Sequence, residues 1–468
     1  MYRNGRLLLT AVAGAQFVVS LDISVVNVAL PAIRADLGFG PTGLQWVVDI
    51  YALLLGGFLL LGGRLADLYG RRRLFQLGLA LFGLSSLAGG LAQTPGQLVI
   101  ARAVQGVAAA ALTPAALAVL STAFPTGPAR ARALGVWGAV AGLGGAVGVI
   151  AGGLLTEYAG WRAVMLVNLP IVAIGLVLVA VSVPADPPGA RTARLDVLGA
   201  VLATTGLGLL VLGVVRTHEL SWSSPATLGT LGAAVALLVA FVLVERRTRE
   251  PLVRLGLLAR RQVAAANGFV FLLFAGQFAA FYFVSLYLQN VLDLGAAATG
   301  AAFLPFSAGL IAGTVAATRM TGRHSLRTVL GTGGLLAAGG FGWFGLISPT
   351  GSFLADVLGP SLVTSVGLGL CLAPLAGAAT AGAPPHEAGM ASGLVSSSRQ
   401  IGGCLGLAVL TTVAAQRTGT ASDAAALTDG YALGLTIAGL LLLAAVAVAL
   451  VVLPREQPVP LVQERISR

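Results

Sequence analysis

Two acidic residues and one arginine lie inside stretches of this sequence that are otherwise almost wholly apolar. They are Asp22, Asp49 and Arg102. A carboxyl group in a medium of low dielectric constant holds its proton more firmly than in water, so it can exchange a proton near neutral pH. A buried arginine keeps its charge and therefore needs a carboxylate partner or a wet cavity. We predict that these three residues couple protons to a substrate, with a static ion pair or backbone hydrogen bonds as the structural alternative.

Two further polar residues lie inside later apolar stretches, Gln277 and Arg399. Gln277 lies about as deep in its stretch as Asp22 does in the first one, and Arg399 lies about one-third of the way into its own. We predict that both line the same cavity as the charged residues. The alternative for Gln277 is a hydrogen bond between two helices, a common use of Gln inside a membrane.

Fourteen apolar stretches carry these residues, and most approach the length of about 20 residues that crosses a bilayer as a helix. The composition agrees, because 57% of the 468 residues are hydrophobic, 10% are charged, and the mean hydropathy is +0.93. We therefore predict an all-α polytopic membrane protein with fourteen transmembrane helices. The stretches are 7–30, 44–62, 74–93, 97–122, 133–156, 162–183, 195–216, 225–244, 263–288, 297–318, 328–347, 353–377, 389–414 and 431–453.

The connecting segments are strongly asymmetric in arginine. Of the 28 arginines, 22 fall on the side of the N-terminus and four fall on the opposite side. Short loops rich in Lys and Arg stay in the cytoplasm. Both termini are therefore predicted to be cytoplasmic. The same distribution explains the net charge of +11 without nucleic-acid binding.

The chain contains no lysine, which excludes several chemistries. A Walker A loop needs a lysine for the terminal phosphates, and Schiff-base catalysis needs a lysine amine. The three histidines and two cysteines are scattered, so no metal site is predicted. We expect neither an enzyme nor a cofactor.

The two longest loops flank the seventh and eighth stretches and suggest how the chain is organised. We predict an N-terminal six-helix bundle at 1–183, a two-helix insert with cytoplasmic linkers at 184–262, and a C-terminal six-helix bundle with a short tail at 263–468. A weak repeat supports this division, since the basic loop at 319–323 echoes the loop at 63–73.

The loop between the second and third stretches reads Gly-Arg-Leu-Ala-Asp-Leu-Tyr-Gly-Arg-Arg-Arg. An acid there can pair with a nearby arginine or sit at the positive N-terminus of a helix. A contact of this kind that forms in one conformation and breaks in another is a latch. The predicted latch residues are Gly63, Asp67, Gly70, Arg71 and Arg72.

The fifth stretch carries small residues every four positions along two rows. Such rows let helices approach closely in a membrane. Plain helix packing explains the spacing as well as a functional motif does. The glycines singled out are Gly144, Gly148, Gly152 and Gly153.

Taken together, these motifs resemble the fourteen-span drug:proton antiporters of the major facilitator superfamily, over nearly the whole chain. The resemblance implies proton-driven export of hydrophobic or cationic small molecules, such as drugs and antibiotics, across a bacterial plasma membrane by a transporter that works as a monomer. One position departs from the family pattern, because Val149 follows Gly148 where the family has proline. The segments that carry the resemblance are 21–31, 63–73, 102–106, 161–170 and 388–400.

Three other functions fit parts of the sequence. An importer or facilitator of a metabolite shares the fold, but we expect its spans to be richer in polar and aromatic residues than the 6% of aromatics found here. A membrane-embedded enzyme needs a catalytic or metal cluster. A permease driven by a separate ATPase is disfavoured by the loop at 63–73.

Overall fold

A computed structural model describes residues 5–40, 43–124, 127–184, 195–217, 220–248, 251–321, 324–381, 387–419, 421 and 423–452. Regular structure in these ranges is helical throughout. The helices are α1 (Gly5–Leu37), α2 (Trp46–Tyr69), α3 (Arg71–Gly90), α4 (Pro95–Ala123), α5 (Gly127–Ala159), α6 (Trp161–Leu166), α7 (Asn168–Ser182), α8 (Val197–Arg216), α9 (Pro225–Arg247), α10 (Leu255–Leu258), α11 (Arg261–Asn290), α12 (Ala296–Ala302), α13 (Leu304–Thr321), α14 (Leu326–Phe344), α15 (Gly359–Ala381), α16 (Ala388–Thr418) and α17 (Ala424–Val452).

Each apolar stretch of the sequence corresponds to one of these helices or to two in succession. Eleven helical segments of the described chain are long and apolar enough to cross a membrane. The other three stretches fall on α3, α14 and α16, which are rich in arginine, glycine or serine. The protein is therefore a multi-pass membrane protein, and the count of fourteen crossings stays a prediction.

Two of the spans that we predict as single helices are broken in the structure. Val167 separates α6 from α7 and lies four residues after Ala163 and three residues before Pro170. The second break, between α12 and α13, lies just before Pro305. Proline has no N–H and its ring clashes with the carbonyl four residues earlier, so the helix is interrupted there. A third predicted span opens with a π-helical turn at Phe353–Leu358 before α15.

The helices fall into two groups by their packing. α1 packs on α5, α2 and α3 pack on α4, and α7 packs on α1 and α3. In the second half of the chain, α11 packs on α16 and α17, while α15 packs on α13 and α14. α8 and α9 form a pair, and α8 also contacts α2 and α16. The insert therefore lies against the seam at which the first and second groups meet.

The outer surface of this bundle is apolar. Leu84 is 65% exposed and Ile100 is 66% exposed. α9 is among the most apolar helices, yet only 11% of its membrane-length window is buried. Large exposed apolar surfaces of this kind are stable against lipid and not against water.

The two ends of the bundle differ in charge and in contacts. We call the end that holds Tyr69 and Arg71 the arginine-rich end, and the end that holds Leu37 and Trp46 the opposite end. Near the opposite end, α1 meets α11 and α5 meets α12. α2 contacts α16 along much of the length of α2, and this contact also joins the two groups of helices.

Candidate functional site

Asp22 is the centre of a buried polar network in the first group of helices. Its side chain is fully buried. Its Oδ2 accepts a hydrogen bond from Arg102 Nη1 at 2.5 Å, and its Oδ1 accepts from Gln105 Nε2 at 2.8 Å and Asn168 Nδ2 at 2.9 Å. Three donors and one formal positive charge thus satisfy the carboxylate.

Arg102 is the largest side chain buried almost completely, with 1% of its surface exposed. Its Nε donates to the carbonyl oxygen of Val47 at 3.0 Å, and its Nη1 also reaches Gln105 Oε1 at 2.8 Å. The guanidinium lies 4.3 Å from the centre of the Tyr51 ring, a cation–π contact. Arg102 therefore ties α4 to α1 and α2 at one point.

Three members of this network carry no formal charge and escaped the sequence prediction. Gln105 and Asn168 are fully buried, and so is Ser86, which accepts from Asn168 at 2.9 Å and donates to the carbonyl of Met165 at 2.7 Å. Gln105 follows Arg102 by three positions, which puts both on one helix face. That spacing is the signal by which Gln105 could have been found.

Local helix geometry places Asn168 beside Asp22. Asn168 is the first residue of α7, directly after the break at Val167. The break is three residues before Pro170, which cannot continue the hydrogen-bond pattern of α6. A side chain at a helix start is free of the preceding turn, so its amide can reach α1 and α3 together.

Asp49 does not join this network. It lies in the first turn of α2 and is fully buried, but neither of its carboxylate oxygens has a hydrogen-bond partner among the described residues. The Cys404 thiol of α16 lies beside it and contacts its backbone carbonyl at 3.5 Å. Arg102 pairs with Asp22, whereas Asp49 contacts α16 of the other group of helices. The coupling of protons by these three residues stays a prediction.

Arg399 and Gln277 lie at the junction of the two groups. Arg399 is exposed although it lies about 16 Å inside α16 from Ala388, and its guanidinium lies 5.4 Å from the centre of the Phe274 ring on α11. Gln277 is half-buried, with its Oε1 lacking a partner among the described residues. Arg399 thus keeps exposed surface in the region where the sequence predicts a cavity.

The segment 63–73, predicted as a loop, is helical except for Gly70, because α2 and α3 extend beyond their apolar stretches. Gly70 has φ +103°, a conformation that side chains with a Cβ rarely adopt, and it joins α2 to α3. Arg71 Nη1 donates to Thr122 Oγ1 on α4, and Arg72 Nη2 donates to the carbonyl of Ala180 on α7 at 2.8 Å. Both arginines thus contact helices of the first group.

The side chain of Asp67 lies outside the described residues, so its role as a latch stays a prediction.

A second feature at the arginine-rich end was not predicted. The segment that follows α9, Pro251 to Arg254, lies between the insert and α16. Glu245 Oε2 accepts from the backbone N–H of Val253 at 3.2 Å, and Arg254 Nη1 contacts Glu387 at 2.6 Å. This segment connects the insert to the start of α16.

The small residues of α5 face two partners. A Cβ added at Gly148 would lie 2.8 Å from the carbonyl oxygen of Leu21, and Gly144 and Gly152 approach α1 in the same way. A Cβ added at Gly153 would instead lie 2.4 Å from the carbonyl oxygen of Ala296 on α12. One row therefore packs inside the first group of helices, and the other faces the second group.

Val149 belongs to the second of these rows. It is 3% exposed, and its carbonyl oxygen lies where Gly300 of the second group approaches α5. The residue that departs from the family pattern thus lies on the contact between the two groups.

Among the described residues, no group of three or more His, Cys, Asp or Glu side chains is placed to hold a metal ion.

Comparison with known proteins identifies the family to which this architecture belongs. The profile of the Major Facilitator Superfamily matches residues 12–407. The chain belongs to the Major Facilitator Superfamily. It is 44% identical over 422 residues to the cephamycin export protein CmcT of Amycolatopsis lactamdurans, covering 89% of this chain and 86% of that protein.

Other members of the superfamily agree with this placement. The puromycin resistance protein pur8 of Streptomyces alboniger is 42% identical over 451 residues, which cover 94% of this chain and 89% of that protein. Among solved structures, a POT family transporter superposes with a TM-score of 0.71 at 15% identity, covering 96% of this chain and 95% of that one. The last likeness shows the shared fold alone.

Proposed function

We propose that this protein is a proton-driven exporter of hydrophobic or cationic small molecules, antibiotics among them. The observation that carries the proposal is a pair of buried acids in the membrane core: Asp22, which is paired with Arg102, and Asp49, whose carboxyl group has no hydrogen-bond partner among the described residues. Ionisable groups inside a membrane protein mark ion and substrate pathways. The export and resistance functions named for the two relatives support the direction of transport.

We further propose fourteen crossings of the bacterial plasma membrane, with both termini in the cytoplasm and a monomer as the working unit. The positive-inside rule supports this orientation, because the arginine-rich end then faces the cytoplasm. The drive is the proton gradient, with no bound cofactor.

Alternating access would come from the two groups of helices rocking around the cavity that holds Arg399. Near the opposite end, Ser285 Oγ donates to the carbonyl of Asn27 at 3.1 Å, and the backbone N–H of Ala297 donates to Glu157 at 2.8 Å. These contacts join the two groups of helices near that end. In the proposed orientation this end faces the outside, and the substrate would enter from the cytoplasm.

Substrate recognition would use the residues that border this cavity. Arg399 supplies positive charge, Gln277 supplies an amide oxygen that has no partner among the described residues, and Asp49 supplies negative charge where α2 meets α16. Asp22 and Arg102 are buried and paired with each other, so they would couple protons and not touch the substrate. A cation bound near Asp49 gains a charge-assisted contact, whereas a neutral molecule binds through apolar and aromatic surface alone.

The test uses the purified protein in proteoliposomes that contain ethidium as a cationic probe. An imposed pH gradient is expected to drive ethidium transport, and collapse of the gradient with an ionophore should stop it. Asp429→Asn is the matched control, because Asp429 is an exposed acid paired with exposed Arg417. If the wild-type protein moved the probe equally fast with and without the gradient, proton coupling would be rejected.

A further inference from the structure

Arg399 is a cation inside the bundle that has no counter-charge among the described residues. Its side chain is exposed, although it lies about 16 Å from the start of α16. The ion pairs formed by the described part of the chain do not include it. Arg102, by contrast, is paired with Asp22 at 2.5 Å. A guanidinium keeps its charge in a protein, so Arg399 offers a positive charge that no side chain of the described helices neutralises.

The contacts of the neighbouring residues fix the direction in which Arg399 points. Ser398 Oγ donates to Asn267 Oδ1 on α11 at 2.8 Å. Gln400 lies against α2, because a Cβ added at Gly56 would be 2.8 Å from the Cβ of Gln400. Successive residues of a helix are about 100° apart around its axis. Arg399 therefore lies on the face of α16 between the side that contacts α11 and the side that contacts α2.

The opposite face of α16 is covered by the insert. Ala408 lies nine residues after Arg399, about two and a half turns further along the helix, and so on the other side of it. Ala408 is buried in one cluster with Val211 and Val215 of α8. The exposed surface of Arg399 thus faces the gap between the two groups of helices, away from the insert.

Aromatic rings of α11 border the guanidinium of Arg399. Its Cζ lies 5.4 Å from the centre of the Phe274 ring. That ring meets Phe278 edge to face, with 6.2 Å between the two ring centres. Gly403, one turn after Arg399, leaves room for Phe278, because an added Cβ would lie 2.5 Å from the Phe278 ring. The cation therefore adjoins a flat apolar surface on the same side of α16.

Neutral polar groups next to Arg399 on α16 also lack partners. Ser397 is 5% exposed and Gln400 is 2% exposed. Within the described ranges, Ser397 Oγ and Gln400 Nε2 have no hydrogen-bond partner. Both groups can donate a hydrogen bond. The surroundings of Arg399 therefore favour a ligand that is rich in acceptor oxygens.

The acids of this region do not present their charge at the same place. Asp22 and Asp49 are both fully buried, whereas Arg399 is exposed. Like charges repel and opposite charges attract, most strongly where water is partly excluded. A molecule that enters the gap between α11 and α2 therefore meets a positive charge first, and a negatively charged group on that molecule is favoured there.

We propose that Arg399 binds an acidic group of the exported molecule, and that this protein therefore accepts amphipathic organic anions, aromatic carboxylates in particular, in addition to hydrophobic and cationic molecules. This rests on the proposed export function. A carboxylate accepts two parallel hydrogen bonds from a guanidinium. The aromatic body of the same molecule lies along the apolar surface that Phe274 and Phe278 provide. A neutral molecule of the same shape keeps the apolar contact and lacks the charge-assisted one.

Equilibrium binding of naphthoate, compared with its neutral isostere naphthamide, tests this without transport. The protein is reconstituted in nanodiscs of phosphatidylcholine, which has no net charge. The wild type should bind naphthoate at least about tenfold more tightly than naphthamide. Arg399→Gln should bring that ratio to about one, and Arg399→Lys should lie between them, because lysine keeps the charge but not the planar pair of donors. Arg417→Gln is the matched control and should keep the wild-type ratio, since Arg417 is an exposed arginine paired with exposed Asp429.

The outcomes separate this inference from the proposed function. A wild-type protein that binds both ligands equally well, or an Arg399→Gln variant that keeps the wild-type ratio, would overturn the inference even if the protein transports ethidium. Naphthoate that binds with the expected ratio but does not cross the membrane of proteoliposomes, with or without a pH gradient, would overturn the export proposal and leave the binding site in place.

A second set of nanodiscs that contain phosphatidylglycerol distinguishes a soluble anion from a lipid headgroup. The factor by which the ratio differs between the wild type and Arg399→Gln should be unchanged in these nanodiscs. Loss of that factor would show that the lipid headgroup occupies Arg399, and would overturn its assignment to the exported molecule. Arg399 has no ion pair to lose among the described residues, so Arg399→Gln should fold like the wild type.

Discussion

Replacing Asp22 by asparagine should destabilise the protein far more than the same replacement at Asp49. In Asp22→Asn, the new amide keeps one acceptor oxygen for Gln105 and Asn168, but its nitrogen takes the place of the oxygen that Arg102 contacts at 2.5 Å. Two donors then face each other, and a guanidinium with 1% exposure has no counter-charge. Breaking a buried ion pair by removing one partner costs about 3–5 kcal/mol.

Asparagine at position 49 has a different effect. The carboxyl group it replaces has no hydrogen bond to lose, and the amide is neutral like the protonated acid. We expect a change in the free energy of unfolding of less than about 1 kcal/mol, or a gain in stability. The two isosteric substitutions should thus differ by at least about 2 kcal/mol.

The assay is unfolding in mixed detergent micelles, followed by the reaction of a thiol-specific dye with Cys371 and Cys404, which are both fully buried in the folded protein. Removing both charges with Asp22→Asn and Arg102→Met should recover part of the loss, because no unpaired charge remains. An equal or larger loss in Asp49→Asn would refute the reasoning, since it would mean that Asp49 is ionised and well paired.

The remaining predictions concern packing, topology and the loop at 63–73. Gly148→Val should cost about 1–3 kcal/mol in the same unfolding assay, because its Cβ would lie 2.8 Å from the Leu21 carbonyl oxygen, whereas Gly142→Val meets no atom within 4 Å and serves as the control. Cysteines placed at positions 2 and 465 should react with an impermeant reagent only in permeabilised cells; labelling of either one in intact cells would contradict the topology. Asp67→Asn should slow ethidium transport in proteoliposomes without lowering membrane insertion, and transport at the wild-type rate would count against a latch.

Much of the architecture follows from local sequence pattern. Apolar stretches of membrane length locate the helices, because a backbone in lipid must satisfy its hydrogen bonds within the segment. The break in front of Asn168 was not predicted as a break, although Pro170 lies close to it. The pattern of small residues in α5 indicated close packing, but it did not indicate that Gly148 contacts α1 and Gly153 contacts α12.

The sequence alone therefore determined where the apolar helices lie, which ionisable residues they carry, and the family to which the chain belongs. It could not determine how those residues pair. The partners of Asp22 are separated from it by 80 to 146 positions in the chain, and hydropathy carries no information about contacts at that range. Only the packing of α1 on α4 and α7, and of α2 on α16, decided that Asp22 is fully paired while Asp49 is buried with nothing to balance its charge.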